Sequence, residues 1–198
     1  IDFGYNFTQC MWSAGNVTER GRIANANHEG EKILDLYAGI GYYTLPFLSE
    51  GARGPNGERG QGRGAAHVVA CEWNENAIHA LKWSLSANDL ANRCTIVEGD
   101  NRDMDFQPEF DRVNLGLLPS SEDGYSIAIQ ALKSEGGMLH VHGLAAGGEE
   151  DEWALDLANR LEQLSDFTCS VVRVERVKWY APHQRHIVVD IHASPVSC

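Results

Sequence analysis

Apolar runs of strand length recur along this chain with helix-forming stretches between them, and that alternation constrains its fold more than any other feature. Residues 31–37 (EKILDLY) form one such run, which ends at AGIG and is followed by a helix-like YYTLPFLSE. A second strand is expected at 66–73 (AHVVACEW). Asn74 is then placed to cap an amphipathic helix through Leu90, with apolar positions at Ala77, Ile78, Leu81 and Leu85. Residues 93–98 (RCTIVE) and 110–118 (FDRVNLGLL) read as the third and fourth strands, and 122–134 as a helix whose start is marked by Pro119-Ser120-Ser121. The fifth strand, 137–142 (GMLHVH), precedes an acidic helix over 149–165, and the last two, 168–179 and 185–192, join across Ala181-Pro182-His183-Gln184. Strands separated by helices pair in parallel, whereas a short turn forces an antiparallel pair. The pattern therefore implies a doubly wound α/β sheet with an antiparallel edge.

The 198 residues suit one domain with its own core, and 43% hydrophobic with 22% charged residues exclude global disorder, collagen and coiled coil. The net charge of −12 argues against simple adhesion to phosphate backbones. No stretch approaches the ~20 apolar residues of a membrane helix, and IDFGYNFTQC lacks a basic-then-apolar leader. Five cysteines without a CxxC pair read as reduced thiols, so a cytoplasmic protein is expected. His140-Val-His142 and His183-x-x-His186 have spacings that suit a metal. With no Cys or carboxylate at ligand spacing nearby, they read as structural or substrate-facing, and no metal site is assigned. Residues 49–65 (SEGARGPNGERGQGRGA) break the pattern and are expected to form a flexible Gly/Arg surface insertion.

The chemistry begins at Asp35-Leu-Tyr37-Ala-Gly39-Ile-Gly41, where a strand runs into a glycine-rich turn at a helix N-terminus. Glycine lets the backbone approach a ligand closely, and the helix end offers free N–H groups. The form Asp-Leu-x-x-Gly-x-Gly leans away from NAD and towards S-adenosylmethionine. Glu72, at the tip of the second strand, is placed to accept ribose hydroxyls, as acidic residues do in dinucleotide sites. It lies 31 residues beyond Gly41, against the usual interval of about 20, and the insertion accounts for the excess. Gly99-Asp100-Asn101-Arg102 follows the third strand, where Asp100 can accept from an adenine amino group. Three strand-end marks in register define an adenosyl site on a Rossmann-like class I methyltransferase fold. That fold has a mostly parallel seven-stranded sheet with an antiparallel C-terminal edge hairpin.

DLYAGIGYYTLP, ACEWN, GDNR, RVNLGLLPSSEDGY, VKWYAPHQRHIVVDIH and CMWSAGNVTERGRIA together resemble the tRNA wybutosine-synthesis aminocarboxypropyltransferases, sisters of the tRNA guanine-37 N1-methyltransferases. The resemblance covers nearly the whole chain outside 49–65. It implies transfer of the 3-amino-3-carboxypropyl group of S-adenosylmethionine to C7 of 4-demethylwyosine in phenylalanine tRNA, with release of methylthioadenosine. It also implies a lead-in segment over 1–30 packed on the cofactor site, a catalytic domain over 31–198, and an upstream tRNA-binding domain missing from this chain.

The implied cofactor residues are Ser13, Arg20, Asp35, Tyr37, Gly39, Gly41, Glu72, Trp73, Asp100 and Asn101. Ser13 and Arg20, with Arg22 behind, are expected at the methionine carboxylate. The implied catalytic residues are Glu19, as base, and Asn114, which meets the substrate base. Asn16-Val-Thr-Glu19 equally fits a helix capping box. Asn114-Leu115-Gly116 departs from the Asn-Leu-Pro of the methyltransferases and favours the aminocarboxypropyl branch. Trp179, Tyr180 and His183 are candidates to stack on an extruded base, or core residues. The alternatives are the N1-methyltransferase itself and a cofactor-binding domain inactive without its tRNA-binding partner.

Overall fold

Short strands with apolar side chains on both faces need cover on both sides, and the helices between them supply it. The computed structural model describes residues 1–4, 16–51 and 60–196. Seven strands make up a mixed, mostly parallel sheet. The chain divides into two compact units, Ile1–Asp103 and Met104–Cys198.

In the first unit the order is α1 (Val17–Asn25), β1 (Lys32–Asp35), α2 (Thr44–Leu48), β2 (His67–Glu72), α3 (Glu75–Ala87) and β3 (Cys94–Glu98). Strand β2 lies between β1 and β3, parallel to both, with Leu34 beside Val69 and Ala70 beside Ile96. Ile33, Phe47, Leu48, Val68, Leu81 and Leu85 belong to its core. Asn74 caps α3 as the sequence suggests, its side chain accepting from the N–H groups of Asn76 and Ala77.

The insertion departs from expectation on its C-terminal flank, while residues 52–59 lie outside the described residues. Arg63 N–H donates to the Ala26 carbonyl (3.1 Å), the Arg63 carbonyl accepts from His28 N–H (2.8 Å), and Ala65 N–H donates to Phe47 (2.8 Å). A Cβ at Gly64 would lie 2.2 Å from the Leu48 carbonyl oxygen. The glycine there serves a close backbone approach rather than looseness.

The second unit contains β4 (Arg112–Leu115), α4 (Tyr125–Ala131), β5 (Gly137–Ala146), α5 (Glu150–Gln163), β6 (Phe167–Ala181) and β7 (Gln184–Pro195). Strands β4 and β5 are parallel; β7 is antiparallel to both β5 and β6. The expected helix at 122–134 is shorter, because Glu122–Gly124 forms a single 3-10 turn before α4. Strand β5 outruns its expected end at His142 because β7 pairs with it as far as Ala146. Among the described residues no helix is long and apolar enough to cross a membrane. Burial raises the thiols of Cys71 and Cys94 to about 12 and that of Cys169 to about 11.

A buried polar layer crosses the second unit. His140 Nε2 lies 2.6 Å from Arg112 Nη1, and its Nδ1 lies 2.5 Å from Asp190 Oδ1. A guanidinium only donates, so Nε2 accepts and the proton sits on Nδ1, pointing at the carboxylate. Nearby, His142 Nδ1 meets His186 Nε2 at 3.0 Å. Burial, helped by Lys178, lowers the His186 pKa from 6.5 to about 4.

Three outcomes follow from these contacts. A Cβ at Gly51 would lie 2.5 Å from the Gly60 carbonyl oxygen, so the two ends of the insertion meet. Deleting 52–59 should therefore leave the melting temperature nearly unchanged. Gly64→Ala should cost about 1–3 kcal/mol through overpacking, read by denaturant unfolding. For His186, the unfolded chain binds the proton below pH 6.5 and the folded chain only below about 4, so stability falls as pH drops through that window. The slope should reach about 1.4 kcal/mol per pH unit and should flatten in His186→Gln.

Candidate active site

The tips of β1 and β2 are locked together through side chains. Asp35, fully buried at the end of β1, accepts a hydrogen bond from Thr44 Oγ1 (2.6 Å), which ties the strand to the first residue of α2. Between them the chain turns through Gly39 and Gly41, both at positive φ (56° and 97°). A Cβ on Gly41 would strike Leu45 (2.2 Å) and Leu81 (2.9 Å), so this glycine lets the turn pack on α2 and α3; a Cβ on Gly39 would meet nothing within 4 Å among the described residues. Among the described residues, the space in front of Gly39 is open to a ligand against the backbone.

Glu72 closes this corner. Its Oε2 accepts from Gly39 N–H (2.8 Å), while Oε1 accepts from Trp73 N–H (3.0 Å) and Asn74 N–H (2.8 Å). A carboxylate offers about four lone-pair sites, so three donors leave about one for a ligand hydroxyl. Trp73 beside it is 78% exposed, and Tyr37 in the turn is half-buried.

The β3 tip joins the same corner through Gly99 N–H, which donates to the Glu72 carbonyl (2.9 Å). Asn101 is buried, and its Nδ2 donates to the Leu36 carbonyl (2.6 Å), bracing the turn after β1. Asp100 remains accessible and is paired with Arg102, whose guanidinium and N–H hold its carboxyl down to about 2.

Helix α1 contributes Glu19 and Arg20. The capping box does not form, since Asn16 makes no side-chain cap and instead donates from Nδ2 to Tyr43 Oη (3.3 Å). Glu19, 1% exposed, is gripped by Arg22, with Nε on Oε2 (2.8 Å) and Nη2 on Oε1 (2.7 Å). Arg22, expected behind Arg20, makes both of these bonds to Glu19. Tyr43 reports how close these groups are to the turn: burial and the Glu19 charge push its hydroxyl pKa up, while Asn16 and Arg20 pull it down. The Arg20 guanidinium lies 5.3 Å from the Phe3 ring centre and 5.5 Å from that of Tyr42.

Ser13 lies outside the described residues. Asn114 belongs to the second unit, buried on β4 beside His140. On the closing hairpin of that unit Trp179 and Tyr180 are half exposed, with Arg185 stacked 4.1 Å from the Trp179 ring centre. Sequence reasoning did not find Phe3, Tyr42, Thr44 or Asp190. Only Asp190 left a signal there, as a lone acid at an inward position of the apolar run IVVDIH.

Fold and corner together define a class I methyltransferase-like α/β domain. Residues 1–172 match the model of the TRM5/TYW2 methyltransferase domain, and the chain belongs to that family. It is 42% identical over 196 residues to tRNA wybutosine-synthesizing protein 2/3/4 of Arabidopsis thaliana, covering 96% of this chain and 18% of that protein. It is 38% identical over 232 residues to the tRNA wybutosine-synthesizing protein 2 homolog of Danio rerio, covering 99% of this chain and 54% of the relative. The chain thus spans about half, or less, of these relatives. The crystal structure of M. jannaschii TYW2 in complex with AdoMet superposes with a TM-score of 0.84 at 28% identity, covering 98% of this chain and 82% of that one.

Because both oxygens of Glu72 accept backbone N–H bonds, Glu72→Gln has no orientation that avoids facing an amide NH₂ against a backbone N–H. It should lose about 1–3 kcal/mol of stability, measured by urea denaturation, although it changes a single atom.

Proposed function

We propose that this domain transfers the 3-amino-3-carboxypropyl group of S-adenosylmethionine to C7 of 4-demethylwyosine at position 37 of phenylalanine tRNA in the cytoplasm, releasing methylthioadenosine. The reading is carried by the match of nearly all of this chain to part of its wybutosine-synthesizing relatives, together with Asn114-Leu115-Gly116 in place of Asn-Leu-Pro. The strand-tip corner fits the donor. Gly39 offers open backbone, Glu72 keeps lone-pair capacity for the ribose, and accessible, ionised Asp100 suits the adenine amino group. Tyr37 and Trp73 flank that corner, while Asp35, Gly41 and Asn101 shape it.

S-adenosylmethionine supplies a sulfonium with three electrophilic carbons, and the product depends on which one lies in line with the nucleophile at about 3–3.5 Å. The C7–Cγ bond forms as Cγ–S breaks, sulfur keeps the electron pair, and the C7 proton leaves. The sulfonium is already an excellent leaving group, so the step is assigned no metal. Arg20, with Ser13, holds the methionine carboxylate as a forked donor. Asn114 meets the base. Glu19, assigned the C7 proton at its carboxylate, would have to loosen the Arg22 grip to accept it. An upstream domain provides the tRNA docking that a net charge of −12 leaves wanting.

Mass spectrometry of 4-demethylwyosine tRNA, after incubation with S-adenosylmethionine and either this chain or the longer protein, should find the aminocarboxypropyl adduct and methylthioadenosine. S-adenosylhomocysteine with a methylated guanine would make the domain a methyltransferase instead. Arg20→Ala should weaken S-adenosylmethionine by about one to two decades, the 1.5–3 kcal/mol of a charged hydrogen bond. Methylthioadenosine, which has no carboxylate, should bind nearly as before by calorimetry.

A further inference from the structure

Residues 2–4 run along the C-terminal half of α3 and are pinned to it by their backbone. Asp2 N–H donates to Asn88 Oδ1 (2.9 Å), Asn88 Nδ2 donates back to the Asp2 carbonyl (2.7 Å), and Gly4 N–H donates to Ser84 Oγ (3.2 Å). A side chain at residue 4 would collide with the Trp83 ring (2.2 Å), so the segment lies flat on the helix. With its two neighbours bound to α3, Phe3 packs against the core and meets the ring of Tyr42, centroid to centroid at 6.1 Å with a 32° tilt.

The Arg20 guanidinium completes a triangle with these two rings, 5.3 Å from one centroid and 5.5 Å from the other. A cation held between two parallel faces would put the rings much farther apart. Here it rests in the notch where both rings present their electron-rich faces. Tyr42 directly follows Gly41 of the ligand-facing turn. The notch therefore fixes the guanidinium relative to that turn.

We propose that Asp2–Gly4 is a strap that aims Arg20. Phe3, held along α3, forms with Tyr42 an aromatic seat for the guanidinium and so sets how strongly the domain prefers S-adenosylmethionine over methylthioadenosine. Phe3 is a positioning residue and touches no ligand. The proposal rests on the assignment of Arg20 to the methionine carboxylate. A guanidinium left without its seat samples more rotamers and must be ordered when the carboxylate arrives, a cost that falls on the tailed ligand alone.

The test is calorimetric titration of both ligands into the wild-type chain and into Phe3→Tyr, Phe3→Leu, Asn88→Ala and Arg20→Ala. Leucine keeps the apolar packing but removes the π face. Phe3→Leu should weaken S-adenosylmethionine about three- to tenfold with methylthioadenosine unchanged, and Phe3→Tyr should restore wild-type affinity. Asn88→Ala, which releases the strap without touching the seat, should show the same split to a smaller degree and carries the test if Phe3→Leu does not fold. Wild-type S-adenosylmethionine affinity in both Phe3→Leu and Asn88→Ala, or equal losses for the two ligands, overturns the strap. If Arg20→Ala separates the ligands while those variants do not, only the strap fails. If Arg20→Ala leaves the ratio of affinities at its wild-type value, the carboxylate assignment and the strap fall together.

Discussion

Three backbone N–H groups converge on the carboxylate of Glu72, and the geometry of the candidate site depends on that convergence. The Gly39 donor comes from the turn after β1, and the Trp73 and Asn74 donors from the start of α3. Hydrogen bonds to an ionised acceptor are roughly twice as strong as neutral ones, and here one side chain fixes two loops at once. The Glu72 carbonyl also accepts from Gly99 at the tip of β3. One residue thus ties together the ends of all three strands of the first unit, which is where an open parallel sheet presents its ligand crevice.

The same economy governs the groups around that corner. Asp35 and Asn101 occupy positions at which a sequence reader expects ligand contacts, yet each has a hydrogen bond inside the protein, to Thr44 and to the Leu36 carbonyl. Buried polar atoms need partners. Where these two find them, they brace the turn and leave the open backbone at Gly39, the spare lone pair of buried Glu72 and the accessible carboxylate of Asp100 as the groups at its surface. In the second unit Arg112, His140 and Asp190 solve a similar problem, placing a neutral ring between a cation and an anion beside the buried Asn114.

The strand–helix alternation and the strand-end marks were legible in the sequence because both depend on local pattern. Apolar runs with turn residues at their ends located all seven strands, and the Asn74 cap was read from a single residue. Contacts across sequence distance were not legible. The glycines at 62 and 64 looked like flexible filler, whereas the close approach of Gly64 to Leu48 requires a missing side chain, which composition cannot distinguish from looseness. Asn16 and Glu19 had capping-box spacing, but Tyr43 and Arg22 offered them stronger tertiary partners. Phe3 carried no signal at all, since one aromatic residue in an irregular segment has no periodicity to betray its face.

The two ends of the proposed donor pose different physical problems. Its adenosine end meets a corner built from backbone and short, hydrogen-bonded side chains, which has little freedom left to lose on binding. Its methionine end is assigned to Arg20, a side chain that carries about 2 kcal/mol of rotamer entropy. Choosing one sulfonium carbon over the others is a matter of a few tenths of an ångström and of angle. A carboxylate anchor that wandered would blur that choice however tightly the nucleoside was held. Packing the guanidinium into a notch between Phe3 and Tyr42 removes much of that freedom before the ligand arrives. On the proposed assignment of Arg20, the Asp2–Gly4 strap belongs to the site as much as the strand tips do, because its contacts set the aim of the carboxylate anchor.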